Sequence, residues 1–167
     1  MQRNEDLTAI YHRLLSPRIP VLVVSNRNDN RPNVMACAWH TPVSINPPIL
    51  SVCIMQKRMT HRLIEENGDF TLNIPGRDLL DRVREAGSKS GWNHDKSSLF
   101  KYAPAIKTRS PVISESIGVI ECTLNRMIEV GDHTVIFGNV VSAYAAGFDQ
   151  VWRGNYPLLH LGADNYM

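Results

Sequence analysis

Cysteine is scarce in this chain: three among 167 residues, at positions 37, 53 and 122, with no Cys-x-x-Cys pair. So small and dispersed a set argues against a disulfide framework and a cysteine-built zinc site. The histidines do not compensate, since none forms a His-x-x-x-His pair, and no metal is expected. No run reaches the ~20 apolar residues of a membrane-spanning helix, and the opening Met-Gln-Arg-Asn-Glu-Asp has no apolar stretch of the secretory kind. A cytoplasmic protein with reduced thiols is the expectation, with no membrane partner. Charge of one sign is also missing. The net charge is +2, and Lys and Arg are spread along the chain without an aromatic-interleaved patch, which argues against nucleic acid. Gly-x-Gly-x-x-Gly is absent too, so no Rossmann unit holds a dinucleotide.

What is present is an ordinary globular balance, with 43% apolar and 20% charged residues. Residues 1–167 read as a single domain able to bury roughly two thirds of its extended-chain surface. Leu7, Ile10, Tyr11, Leu14 and Leu15 have helical spacing, with Asn4 as N-cap and Pro17 as terminator. Apolar, β-branched runs at 19–25, 34–39 and 49–55 read as strands, separated by turn-forming stretches at 26–33 and Asn46-Pro47-Pro48. Thr60 caps a helix to Glu66 that ends at Gly68, and 70–74 is a strand. Residues 77–86 carry Leu79, Leu80 and Val83 on one helical face. Residues 87–93 form a loop, followed by a short turn to Phe100 capped by Asp95. Long strands at 117–130 and 133–145 are joined by Gly131-Asp132, a hairpin signal. The apolar tail at 156–162 packs on the body of the protein or across a dimer. Short strands, tight turns and few helices make the fold class mainly β, an antiparallel barrel.

Three segments carry a resemblance. The first is Arg31-Pro32-Asn33-Val34-Met35-Ala36-Cys37-Ala38-Trp39, with Pro42-Val43-Ser44 and Pro47-Pro48 after it. The second runs from Arg58-Met59-Thr60-His61-Arg62 to Gly68-Asp69-Phe70-Thr71-Leu72-Asn73-Ile74-Pro75. The third is Gly87-Ser88-Lys89-Ser90-Gly91 with Asp95-Lys96, then Gly131-Asp132-His133 ahead of Gly138-Asn139-Val140. Together, over roughly residues 15–145, they resemble the flavin reductase-like family of FMN-binding split barrels, which includes flavoredoxins and ferric reductases. In two respects the chain departs from the commonest pattern: Asn93-His94 precedes Asp95-Lys96, and Phe100 is displaced from the place after Lys96.

The resemblance implies an antiparallel split β-barrel with a few short helices, bound FMN, and a homodimer with the flavin near the subunit interface. The backbone of Asn33 to Trp39 would pair with the polar edge of the isoalloxazine. Asn33 and Cys37 would lie near the ring, with Ala36 and Ala38 beside it and Met35 or Trp39 packed on it. Lys57, Arg58, Thr60 and Arg62 would surround the ribityl phosphate, a reading that a helix N-terminus at Thr60 supports on electrostatic grounds. Asn73, Ser90 and Lys96 are carried over as further cofactor contacts. His133 would orient an electron donor over the ring while Cys37 tunes the environment beneath it. The implied activity is an NAD(P)H-dependent flavin or ferric reductase, with NADH or NADPH docking directly over the flavin. A flavoredoxin-type carrier is the alternative, and a flavin-free barrel binding another phosphate compound is a third reading. The pyridoxamine phosphate oxidase-like relatives share the architecture but match these segments less well.

Overall fold

In the computed structural model, residues 6–167 are described, so the expected Asn4 cap lies outside the described residues. A 3-10 helix spans Thr8–Leu15, kinked at Ile10 and buried nowhere along its length, where the spacing had predicted a regular helix. Thirteen strands follow: β1 Val21–Asn26, β2 Pro32–Cys37, β3 His40–Ser44, β4 Ile49–Met55, β5 Asp69–Ile74, β6 Tyr102–Ala103, β7 Val112–Ile113, β8 Gly118–Val130, β9 His133–Ala145, β10 Phe148–Asp149, β11 Val151–Trp152, β12 His160–Gly162 and β13 Asn165–Tyr166. Two α-helices interrupt them, α1 Met59–Asn67 and α2 Leu80–Ser88, the latter preceded by a 3-10 turn at Arg77–Leu79.

Seven strands form one antiparallel sheet in the order β2-β1-β5-β8-β9-β4-β3. The sheet coils so that the end of β2 reaches β4, where Cys37 Sγ contacts the Cys53 carbonyl at 3.9 Å. The result is a split barrel. Its interior is filled by Val21, Val23, Cys37, Val52, Ile54, Phe70, Leu72 and Ile136. A second core lies outside the barrel, where Leu22, Val24 and Val34 meet Val83 and Ala86 of α2, with Phe100, Ile113 and Leu158. Strand β1 is therefore covered on both faces, which is why it reads as the unbroken run Val-Leu-Val-Val instead of alternating. The C-terminal stretch packs on this outer core within the same chain: Leu158 is buried and its N–H donates to the Pro75 carbonyl.

Several sequence expectations shift. Pro32 and Asn33 belong to β2 and not to the preceding turn, because a proline is tolerated at the first residue of an edge strand. Strand β3 was not anticipated, since His-Thr-Pro-Val-Ser is a polar, largely exposed edge. Helix α1 starts earlier than expected, with Arg58 as N-cap, and the Arg58 side chain makes no capping hydrogen bond. The Thr60 side chain therefore does not cap the helix; it is the acceptor of a hydrogen bond from Asn33. The C-cap at Gly68 is as read, with φ +72°.

Candidate functional site

The start of α1 and the end of α2 meet over strand β2. Among the described residues no side chain caps the first backbone N–H groups of α1, and the helix dipole favours negative charge there. The Asn33 Nδ2 donates to Thr60 Oγ1 at 2.8 Å, both residues being buried. A hydroxyl that accepts from an amide keeps its own hydrogen to donate elsewhere. Arg58, Thr60, Lys89, Gly91 and Lys96 surround a small cavity of about 30 Å³, closed on the inside by Met35, Ala36, Met59, Ala86 and Gly87. Among the described residues, three cations line this space and no carboxylate does.

Lys96 is the most constrained of them. It is 6% exposed, and its ammonium donates to the carbonyls of Ala86 and Lys89 at 3.1 and 3.0 Å, at the C-terminal end of α2. Burial, and secondarily the neighbouring Arg58, pull its pKa down to about 8. An anion in the cavity would relieve both. Lys89 is held by Glu85 at 2.6 Å, one helical turn back.

Ala36 and Gly87 belong also to a cleft of about 420 Å³ that continues along the strand past Cys37, Ala38 and Trp39. Its volume falls in the range of about 300–1,000 Å³ usual for small-molecule sites. The opposite wall is Arg84, Ser88, His160, Asp164 and Tyr166, with the Arg84 guanidinium over the Tyr166 ring and 3.2 Å from Asp164. Because β2 is an edge strand of the large sheet, alternate residues along it turn N–H and C=O groups away from β1.

Trp39 ends this stretch. The His133 ring stacks on it at 4.7 Å with an interplanar angle of 23°, and His12 tilts against it at 5.5 Å. His133 opens β9 opposite Met55, and its Nδ1 lies 2.7 Å from Asp132 Oδ1. Cys37 faces the barrel interior, where burial pushes its thiol up to about 12, and its Sγ contacts the Trp39 carbonyl at 3.5 Å. It is thus a neutral thiol at physiological pH.

The structure brings Asn33, Met35, Ala36, Arg58, Thr60 and Lys96 together around the cradle, and Ala36, Cys37, Ala38 and Trp39 along the cleft. Others fall elsewhere. Asn73 is used within the fold: it donates both amide hydrogens, to Leu22 O and Thr71 Oγ1, and accepts from Ile113 N. Lys57 meets the loop through its carbonyl, which accepts from Trp92 Nε1, and Arg62 lies over the Trp92 ring and pairs with Glu66. Ser90 takes part in the turn, its carbonyl accepting from Asn93 and His94. Not singled out in the sequence were Lys89, Arg84 and Tyr166. A lysine one turn beyond an amphipathic helix is a weak signal for the first, and there was none for the pairing of Arg84 with a residue 82 positions away.

Comparison with known proteins is consistent with this architecture. The family model described as "Flavin reductase like domain" matches residues 16–162. An uncharacterized protein of Pyrococcus abyssi is 37% identical over 148 residues, covering 89% of this chain and 84% of the relative. The reductase subunit HsaB of a flavin-dependent monooxygenase from Mycobacterium tuberculosis is 30% identical, covering 73% of this chain and 63% of its own length. Among solved structures, an FMN-binding protein from Thermus thermophilus, determined with bound 1-cyclohex-2-enone, superposes with a TM-score of 0.86 at 27% identity, covering 100% of this chain and 93% of that one. The flavoredoxin of Methanosarcina acetivorans gives 0.83 at 27% identity, covering 100% and 88%. The chain belongs to the flavin reductase-like family, and its fold is the split barrel of the FMN-binding proteins. A flavin-linked redox role is supported at that level.

Proposed function

We propose that the protein holds FMN in the cradle and cleft along β2 and works as an NAD(P)H-dependent flavin or ferric reductase, as a homodimer. The single observation that carries the reading is the cradle of Arg58, Lys89 and Lys96, free of carboxylates among the described residues, which opens at Ala36 and Gly87 into a cleft lined by an edge strand. These residues fit a phosphate-bearing flavin. Uncapped N–H groups, a hydroxyl with a free hydrogen and a buried ammonium with a lowered pKa are all suited to a dianion. FMN, when bound, supplies hydride acceptance and onward electron release.

The chain's own residues then have distinct tasks. Asn33 fixes the Thr60 rotamer so that its hydroxyl points its hydrogen to a phosphate oxygen. Lys96 and Arg58 neutralise the phosphate, and the backbone of Ala36 to Ala38 offers donors and acceptors to a planar heterocycle. His133, braced by Asp132 and stacked on Trp39, forms a flat aromatic platform at the end of the cleft, where a nicotinamide donor would be oriented. Cys37, neutral and buried, shapes the apolar side of the site without taking a proton or a covalent bond.

An anaerobic visible spectrum of FMN-loaded protein, taken before and after NADH and separately NADPH, tests this. Rapid bleaching with one donor is the expected result, slowed about tenfold or more in His133→Ala at unchanged FMN affinity. Flavin that stays oxidised with both donors would instead favour the alternative, a flavoredoxin-type electron carrier, for which the 27% identity to a flavoredoxin across the whole chain speaks.

A further inference from the structure

The outer side of the cradle is closed by the segment from Ser90 to Lys96. Gly91 lines the cavity so closely that a Cβ there would collide with Asn33 Oδ1 and stand 3.2 Å from Met59 Sδ, so the backbone can approach only as glycine. The next residue, Trp92, is 47% exposed, yet it is tied down twice: its Nε1 donates to the Lys57 carbonyl at 3.0 Å and its ring lies 4.4 Å beneath the Arg62 guanidinium. Asp95 pairs with Arg31 beside β2, and Lys96 is bonded to the end of α2. The segment is thus a strap fastened to three elements across the cradle.

The space beneath it is small, about 30 Å³, and Gly91 and Lys96 of the strap form part of its wall. On the outer side lies another cavity, about 370 Å³, lined by Glu85 and Asp95 together with Lys89, Lys96 and His94. A second phosphate directed outward would have to lift the strap and to compete with Glu85 and Asp95 for the cations they already hold, Lys89 and Arg31.

We propose that the Gly91–Trp92 strap selects a flavin ending in a phosphate monoester against one that continues as a diphosphate to a nucleoside. The inference rests on the FMN reading of the same site and adds the residues that set its selectivity. Closed, the strap completes the cradle around a terminal phosphate; FAD would require it open, at the cost of the Trp92 hydrogen bond, the Arg62 stacking and the Asp95 ion pair.

Flavin fluorescence titrations with FMN and FAD on wild type, Trp92→Ala and Trp92→Phe test the proposal. Wild type is expected to prefer FMN by about tenfold or more. Trp92→Ala should shrink that ratio at least about fivefold, through tighter FAD binding and faster FMN release, with Trp92→Phe in between because it keeps a ring for Arg62 and loses only the N–H donor. A wild-type ratio near unity, or equal weakening of both flavins in Trp92→Ala, would overturn the strap as selector while leaving the cofactor site intact. Failure of wild type to bind either flavin would overturn the cofactor reading, and this inference with it.

Discussion

Lys96 shows how one residue links burial to ligand choice. Its pKa in the fold is about 8 against an ordinary 10.5, so the folded chain holds that proton less tightly than the unfolded chain does. The resulting stability penalty is complete below pH about 8, shrinks as pH rises through that value, and is gone above about 10.5. Thermal melts of the flavin-free protein should show this contribution as stability gained between those values, and Lys96→Met should remove it. A bound phosphate reverses the bias by favouring the charged ammonium. Above the second phosphate pKa of about 6, FMN affinity is accordingly expected to be flat to about pH 8 and to fall beyond it, and Lys96→Met to bind FMN roughly tenfold or more weakly at pH 7 without that fall. The cysteines make a second case. Burial pushes the Cys37 and Cys122 thiols up to about 12, while Cys53 is only half-buried. Alkylation of the native protein followed by mass spectrometry should therefore modify Cys53 first, and early labelling of Cys37 would contradict the neutral role assigned to it.

At the scale of elements, the sequence was legible where punctuation bounds an apolar run. Strand β4 begins after Pro47-Pro48 and β9 after Gly131-Asp132, and both were placed to the residue. It was less legible where tertiary contact decides. Strand β3 carries too little apolar surface to announce itself, and Thr60 has the composition of a helix cap but is taken by Asn33 on strand β2. Glu121, inside an apolar strand, is fully buried: burial raises its pKa, but N–H groups of Ile106, Lys107 and Thr108 and the Tyr144 hydroxyl outweigh this and hold it below the usual carboxylate range. It pins the loop that follows β6, and no local pattern predicts such a network. Gly138 on β9 is a further packing element, since a Cβ there would stand 2.7 Å from Phe70 Cζ and 2.9 Å from Cys122 Cβ. Gly138→Ala should cost about 1–3 kcal/mol in denaturant unfolding, because Phe70 fills the barrel centre and cannot retreat; a change within experimental error would show that the barrel is looser than described.

The whole molecule divides its work between two cores. The inner core closes the barrel, and the outer core fastens α2 and the C-terminal strands against β1 and β2, so that the cradle and the cleft open between them. Half of that site was readable in advance, because β2 and the start of α1 are continuous segments. The other half, from Arg84 to Tyr166, comes together only through the outer core and has no sequence pattern of its own. The central claim is that the cradle exists to hold a phosphate, and the most direct measurement is a comparison of FMN with riboflavin, which lacks only that group, by isothermal titration to the flavin-free protein. At least two charge-assisted hydrogen bonds to the phosphate predict that FMN binds about a hundredfold tighter or more. Equal affinity for the two, or tighter binding of riboflavin, would contradict the account.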